Sequence, residues 1–251
     1  MKRLTAALFV TTSLALPAQA FDISSMNADE KAAFGGAVRE YLMDNPEVLI
    51  EAINVLEERR AETEAENDVA LVAANRDALF DDGHSWVGGN PEGDLTMVEF
   101  IDYRCGVCRR FNDEVHELVE SDGNIRLILK EFPILGQDSE AASRFTVAVK
   151  QLAGDEAYMQ AHDEMMTLRG NVSFEALQEV AGRIGLDGDA VINHMNTEDV
   201  SAVLRENRQL AERMAIQGTP TFVIGEHLLR GVPAAGLTET VGLIRAEMSE
   251  G

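Results

Sequence analysis

Between residues 27 and 80, apolar positions recur at helical spacing and no strand-like run occurs. The pattern predicts a first helix over Asp29 to Met43. Asn45-Pro46-Glu47 then predicts a second start, with Asn45 as the N-cap, proline in the first turn and Glu47 at the positive end of the helix dipole. This region has too few apolar residues for a core of its own, so we interpret it as a helical extension.

An apolar stripe runs along this extension from Phe34 to Leu56. It must pack either on the body of the same chain or on the same stripe in another copy, and the pattern alone leaves both options open. The stretch from Glu57 to Asp68 is dominated by charge, which is typical of a solvated single helix or of a linker.

From Leu95 the pattern changes to that of an α/β domain. Leu95 to Ile101 is a short apolar run rich in strand formers, as in a central strand buried on both faces. A helix is predicted from Cys105 to about Glu120, and a second buried strand from Ile125 to Phe132. This order predicts a parallel strand–helix–strand unit.

The second half of the chain is predicted to be mostly helical before it returns to strands. Ser139 to about Gln217 reads as a long helical stretch broken by glycines. Thr219 to Ile224 and His227 to Arg230 read as two strands joined by a hairpin turn. An amphipathic helix over Pro233 to Glu247 closes the pattern.

Residues 1–20 read as a signal peptide that directs export. A basic start, an apolar stretch from Leu4 to Leu16 and the small-x-small run Ala18-Gln19-Ala20 predict cleavage before Phe21. The alternatives are an uncleaved membrane anchor and a plain amphipathic helix. The formal charge of −23 argues against nucleic acid and anionic membranes as partners, and no later segment predicts membrane insertion.

The chain contains two cysteines, Cys105 and Cys108. A disulfide that closes so short a loop restricts the unfolded chain little, so its use is predicted to be chemical. Cys105 would lie at a helix start, where the dipole favours a thiolate, and Cys108 one turn further on. Arg104 and Arg109 add positive charge beside the pair.

Other readings of the pair are an inert bridge, two small buried residues or half of a metal site. Structural zinc takes four Cys or His ligands, and there is no second cysteine pair. His116, eight positions beyond Cys108, is not at a ligand spacing that we recognise, so we predict no metal site. Two thiolates would suffice for Cu(I), which leaves a Cu(I)-handling binding protein as an alternative function and a chaperone-like scaffold as a third.

Two motifs carry a family resemblance. Val98-Glu99-Phe100 with Cys105-Gly106-Val107-Cys108 resembles the active-site strand and helix of thioredoxin-fold proteins, and Gly218-Thr219-Pro220-Thr221-Phe222 resembles their cis-proline loop. The helical stretch before Thr219 and the run Lys130 to Gly136 resemble the DsbA-like branch. The resemblance covers roughly Leu79 to the C-terminus.

The N-terminal extension resembles a narrower subgroup, the ScsC-like (suppressor of copper sensitivity) periplasmic proteins. Arg39-Glu40-Tyr41-Leu42 and Asp44 to Val48 carry this resemblance. Some members trimerise through this segment and act as disulfide isomerases, whereas others are monomers. The expected layout is a signal peptide (1–20), an N-terminal helical region with a linker helix (21–78) and a DsbA-like thioredoxin domain (79–251) with a helical insert over about 139–217. The resemblance implies that the N-terminal helices can join copies of this chain into a homo-oligomer, such as a trimer.

The resemblance implies a role for each site residue. Cys105 would be the attacking thiol, Cys108 the resolving thiol, and Glu99 a buried acid that moves a proton to or from Cys108. Thr219 and Pro220 would present backbone to an extended substrate. No cofactor is implied beyond the redox-active disulfide Cys105–Cys108.

The expected function is thiol–disulfide exchange with exported proteins in the periplasm, with a membrane redox partner that resets the pair. The Cys105 thiolate is expected to be stabilised by its neighbours Arg104, Gly106, Val107 and Arg109. Val107 stands where strongly oxidising DsbA-type proteins often have histidine, so one stabiliser of the thiolate is missing. Together with self-association, this favours isomerase or reductase activity. We expect a disulfide isomerase, with a DsbA-type dithiol oxidase as the alternative.

Overall fold

The computed structural model describes residues 26–250. The predicted signal peptide therefore lies outside the described residues. The chain divides into two compact units, one up to Arg59 and one from Arg60 onward. Within the described residues, none of the helices combines the length and apolar character needed to cross a bilayer.

The first unit is built from helices. Helix α1 spans Ala28–Asp44, and a capping box opens it: the Asn27 side chain accepts from the N–H of Glu30, whose carboxylate accepts from the N–H of Asn27. The prediction that Asn45 caps the second helix was wrong. Its side-chain amide instead donates to the Tyr41 carbonyl at 2.9 Å and so closes α1.

Helix α2 spans Glu47–Ala74, and the boundary between the two units falls within it. The charged stretch after Leu56 is therefore helix and not an irregular linker. No residue of α1 is buried, and the apolar stripe is exposed to solvent: Phe34 is 43% exposed, Tyr41 58% and Ile53 49%.

The second unit contains the predicted α/β domain. Its elements in chain order are α3 Arg76–Phe80, β1 Trp86–Gly89, β2 Leu95–Ile101, α4 Gly106–Asp122, β3 Ile125–Glu131, α5 Gln137–Thr167, α6 Phe174–Arg183, α7 Gly188–His194, α8 Glu198–Arg213, β4 Thr221–Ile224, β5 His227–Arg230 and α9 Leu237–Glu250. The strands form one sheet in the order β1-β3-β2-β4-β5. Strands β2 and β3 are parallel, as predicted, and β4 lies antiparallel to β2.

Strand β1 was not predicted. The run from Trp86 to Gly89 reads as loop, because it lies between two glycine-rich turns and shows no alternation. In the structure it pairs antiparallel with β3. The Trp86 ring stacks on Tyr158 with centroids 6.1 Å apart, and its Nε1 donates to the Asp155 carbonyl at 3.1 Å. Contacts with a distant helix thus stabilise a strand that the local sequence does not signal.

The helical insert is confirmed as four helices, α5 to α8. Helix α5 bends at Gly154, whose φ of 84° is in the left-handed region that favours glycine. The side chains of Ser173 and Asp187 accept from backbone N–H groups at the starts of α6 and α7. This is the predicted α/β thioredoxin fold with a helical insert, together with N-terminal helices.

Alternation along the central strands separates two cores. On β2, Met97 and Ile101 belong to the core that contains the cysteines, whereas Val98 and Phe100 face the opposite core. Glu99 therefore lies on the face of the cysteines. The same parity puts Lys130 of β3 on the opposite face, where it pairs with Asp82.

Candidate active site

Cys105 and Cys108 lie where β2 passes into α4. Cys105 is the N-cap of α4, and its Sγ accepts from the N–H of Cys108 with a sulfur–nitrogen distance of 3.4 Å. The Cys105 N–H donates to the carbonyl of Asp102, which secures the turn after β2. Both cysteines are free thiols, with Cys105 6% and Cys108 1% exposed.

The surroundings of Cys105 favour its thiolate. Burial by itself would raise the pKa of Cys105, but hydrogen bonds from the Cys108 N–H, the Thr219 side chain and the Val107 N–H outweigh it, so the pKa lies below its usual value. These amides belong to the first turn of α4, whose N–H groups lack partners within the helix. Cys105 is therefore suited to nucleophilic attack on a disulfide.

The surroundings of Cys108 have the opposite effect. Burial raises the pKa of the Cys108 thiol well above its usual value, and the negative charge of nearby Glu99 raises it further. The two thiols thus differ in protonation although three positions separate them. Cys108 must lose its proton before it can act as a nucleophile.

Glu99 is the buried acid whose charge acts on Cys108. It lies on the cysteine face of β2, is 5% exposed, and burial raises its pKa to about 8. The structure therefore places Glu99 inside the core, and not at an exposed strand edge. Near neutral pH a group with this pKa can both accept and release a proton.

The loop before β4 faces Cys105. The Thr219–Pro220 peptide bond is cis, and the Cys105 thiol donates to the Thr219 carbonyl at 3.1 Å. A cleft of about 760 Å³ adjoins this loop; its lining includes Gly218, Thr219, Pro220, Arg230 and, from α2, Glu64 and Asp68. The loop that the resemblance assigned to substrate binding therefore combines contact with the nucleophile and an open cleft.

Arg104 and Arg109 make their polar contacts elsewhere. Arg104 lies 3.8 Å from the Asp138 carboxylate. The Arg109 guanidinium donates to the carbonyls of Met166 and Leu168 at 2.6 and 2.7 Å, and so fastens α4 to the end of α5. The hydrogen bonds that lower the pKa of Cys105 come from the main-chain N–H groups of Val107 and Cys108 and from the Thr219 side chain.

Asp102 is a site residue that the sequence reasoning missed. It is fully buried, and one carboxylate oxygen accepts from the N–H groups of Ile134 and Leu135 at 2.8 and 3.0 Å. The other oxygen accepts from the N–H of Arg104 at 2.7 Å. Asp102 thereby connects the turn before Cys105 to the loop after β3. A lone acid at the end of an apolar strand is the signal that could have identified it.

A buried polar cluster beneath the site was also missed. One oxygen of Glu131 accepts from the hydroxyls of Tyr103 and Tyr158, both at 2.7 Å, and of Thr146 at 2.8 Å. Tyr103 precedes Cys105 by two residues, and its oxygen also lies 3.2 Å from Nδ1 of His162. Burial raises the pKa of Glu131, although these hydrogen bonds oppose the shift.

Family comparisons agree with this architecture. Residues 96–239 match the family described as DSBA-like thioredoxin domain. Residues 30–62 match the family described as Copper resistance protein ScsC N-terminal domain. The first match spans more than half of the chain and includes Glu99, both cysteines and Pro220.

Solved structures give the same assignment. A thioredoxin-like oxidoreductase from Silicibacter pomeroyi DSS-3 is 35% identical with a TM-score of 0.63, over 70% of this chain and 99% of that one. ScsC from Proteus mirabilis in a transitional conformation is 27% identical with a TM-score of 0.62, over 90% of this chain and 98% of that one.

A curated relative differs from this chain in length. Na(+)/H(+) antiporter NhaA 1 of Salinispora arenicola (strain CNS-205) is 27% identical over 139 residues, which are 55% of this chain. The chain thus spans 21% of the length of that antiporter, so the similarity concerns one part of a longer protein. From the match over residues 96–239, and from the near-complete coverage of a 35% identical oxidoreductase, the chain belongs to the DSBA-like thioredoxin family of thiol–disulfide oxidoreductases.

Proposed function

We propose that this protein is a periplasmic disulfide isomerase that acts on exported proteins through Cys105 and Cys108. The observation that carries the proposal is the opposite shift of the two thiol pKa values, lowered at Cys105 and raised at Cys108, at the start of one helix. A nucleophile that ionises readily and a partner that remains protonated are what a reversible mixed-disulfide reaction requires.

The reaction begins with attack by the Cys105 thiolate on a substrate disulfide. One substrate S–S bond breaks, a mixed disulfide with Cys105 forms, and the released substrate thiolate takes up a proton. In isomerisation, a substrate thiolate attacks another disulfide of the same protein, and a thiolate of the substrate finally displaces Cys105. No electrons are gained or lost overall.

Cys108 resolves a mixed disulfide that no substrate thiolate has displaced. Glu99 takes the proton of the Cys108 thiol, and the resulting thiolate attacks Cys105. The Cys105–Cys108 disulfide then forms, and the substrate leaves with two more electrons than it brought. A membrane redox partner would return the pair to the dithiol, since isomerisation starts from reduced Cys105.

The substrate would bind in extended form along the Thr219–Pro220 loop. Cys105 contacts the Thr219 carbonyl, so a backbone segment that pairs with this loop would bring its own sulfur close to the nucleophile. The adjoining cleft offers room for the neighbouring residues of that segment. An unfolded client, which presents extended backbone, suits this arrangement better than a folded one.

Two features support isomerase over oxidase function. Val107 occupies the position between the cysteines where a histidine would further stabilise the thiolate, and a less stabilised thiolate corresponds to a less oxidising pair. The exposed stripe of α1 and α2 is suited to self-association, which would present several nucleophiles to one misfolded client. The export and periplasmic location that this function requires rest on the predicted signal peptide.

A direct comparison of two activities tests this proposal. We expect the reduced protein to restore activity to a substrate with scrambled disulfides faster than the oxidised protein forms disulfides in the same reduced substrate. In both reactions the measured quantity is the rate at which the substrate protein regains its own activity. Rapid oxidation with no unscrambling would overturn the isomerase assignment and establish the DsbA-type oxidase alternative.

Self-association through the N-terminal stripe gives a second prediction. We expect the wild-type chain to have a solution mass that is a multiple of the single-chain mass, and Val38→Glu or Ile53→Glu to reduce it to one copy. Each substitution places a charge on an apolar surface that is otherwise exposed, so the folding of one copy should be unaffected. Light scattering coupled to size exclusion measures the mass.

Glu51→Gln on the same helix is the matched control, because Glu51 is exposed and polar. It should leave the mass unchanged. A wild-type chain that is monomeric at concentrations well above those of the assay would contradict self-association, whatever the variants show.

A further inference from the structure

Two histidines and a carboxylate meet where α4 lies beside α5. They are His116 of α4 with His162 and Asp163 of α5, and one potential ligand atom from each lies within 4.8 Å of the other two. The two imidazole centroids are 5.8 Å apart. Within residues 26–250 this is the one group of three such side chains in ligand-like proximity. The proposed exchange chemistry does not use it.

The protonation of His162 follows from its neighbours. Its Nδ1 lies 3.2 Å from the Tyr103 hydroxyl oxygen, which lies only 2.7 Å from Glu131 Oε1. The single hydroxyl proton of Tyr103 belongs to the shorter contact, so Tyr103 donates to Glu131. Its oxygen then accepts from Nδ1–H of His162, and the lone pair of the ring is left on Nε2.

His162 is also buried, with 1% of its surface exposed. Nε2 lies 2.8 Å from the side-chain amide of Asn112, which donates to it once the NH₂ group is turned toward the ring. This amide must move aside when Nε2 binds a metal ion.

We propose that His116, His162 and Asp163 bind one borderline divalent cation, for which Zn²⁺ is the probe. Two imidazoles and one carboxylate form a recurrent zinc ligand set, with water in the fourth position. The hydrogen bonds from His162 through Tyr103 to Glu131 provide the outer support that orients a ligating histidine and increases its basicity. This inference is independent of the proposed isomerase function.

The fit requires only small movements of the more accessible ligands. Zinc–ligand bonds of about 2.0–2.2 Å put the ligand atoms of a tetrahedral site roughly 3.3 Å apart, closer than the 4.8 Å limit found here. His162 is fixed by its buried contacts. Asp163 is exposed and His116 is half-buried, so both can rotate toward it. Bound metal would then join α4, the helix of the cysteines, to α5.

Titration of the full chain with Zn²⁺ tests the site. The protein is first oxidised to the Cys105–Cys108 disulfide, because free thiolates would themselves bind zinc. Millimolar Mg²⁺ in the buffer saturates weak sites on the acidic surface. We expect one Zn²⁺ per chain by calorimetry, and at least about tenfold weaker binding in His116→Ala and in Asp163→Asn.

His227→Ala is the matched control, because His227 also faces a carboxylate, that of Glu247 at 3.3 Å, without a second histidine in ligand proximity. It should bind Zn²⁺ as the wild type does. Co²⁺ offers a second readout, since its visible ligand-field bands should form in the wild type and vanish in His116→Ala. Circular dichroism confirms that the variants fold. Lack of stoichiometric uptake by the oxidised wild type, or wild-type affinity in both ligand variants, would overturn the proposal.

Discussion

Replacement of Cys105 by serine is expected to reduce disulfide exchange to the uncatalysed rate. A serine hydroxyl is not ionised at neutral pH, so the first turn of α4 would have no anion to stabilise and the substrate disulfide no nucleophile to meet. Cys108 cannot substitute for it, since burial raises the pKa of that thiol well above its usual value. Unscrambling of a disulfide-mispaired substrate is the measurement.

Cys108→Ser should behave differently from Cys105→Ser. It keeps the nucleophile but removes the resolving thiol, so a covalent complex between Cys105 and substrate should accumulate and be visible on a non-reducing gel. Equal activity of wild type and Cys105→Ser would refute the assignment of the nucleophile. Tight Cu(I) binding that needs both cysteines, without any exchange activity, would instead favour the metal-handling alternative.

Glu99→Gln should slow the resolving step by about 100-fold or more, the usual size of a general acid–base contribution. Glutamine keeps the shape of the side chain but cannot take the proton of Cys108. The wild-type rate of Cys105–Cys108 disulfide formation should rise with pH through the pKa of Glu99, at about 8. That inflection should be missing in the variant. Stopped-flow measurement of mixed-disulfide decay across pH 6–10 would show it.

Glu99→Gln should also change how the free energy of unfolding depends on pH. Burial raises the pKa of Glu99 from 4.5 to about 8, so the folded chain holds a proton that the unfolded chain loses. This contribution to stability is complete below pH 4.5 and is lost as pH rises to 8, by about 5 kcal/mol at most. The free energy of unfolding of Glu99→Gln, relative to wild type, should therefore increase over that interval in urea titrations.

Glu131→Gln is a suitable control for both measurements, because Glu131 is also buried and lies on the neighbouring strand β3. It should leave the kinetic inflection near pH 8 in place. If Glu131→Gln removed the inflection and Glu99→Gln did not, Glu131 and not Glu99 would be the proton acceptor for Cys108.

The pattern of apolar residues was sufficient to predict the elements whose faces are buried in the core. Strand β2 was predicted with its observed bounds, because its residues form a short, mostly apolar run of strand formers, and the cysteines were expected at the start of α4. The contact between Cys105 and Thr219 joins positions more than a hundred residues apart. No local pattern encodes such a contact, and it was expected only through the family resemblance.

The buried cluster was missed for a different reason. Glu131 ends an apolar strand, and a charge at a strand end reads as exposed. Its burial depends on three hydroxyls, two of which come from helix α5. The parity of parallel strands would have placed Glu131 on the same face as Glu99, since Ile101 is its partner in register. The hydroxyls that satisfy it could not be inferred without the tertiary fold.

Because Cys105 is the N-cap of α4, its thiolate is stabilised partly by main-chain groups. The groups that stabilise the thiolate include the peptide N–H groups of Val107 and Cys108. Any replacement of these two residues other than proline keeps the N–H group. This counter-charge cannot diffuse away, and salt screens such close, partly buried groups little. The stabilisation of the Cys105 thiolate should therefore change little with ionic strength or with substitution of the neighbouring side chains. Those side chains can then vary to suit different substrates and partners.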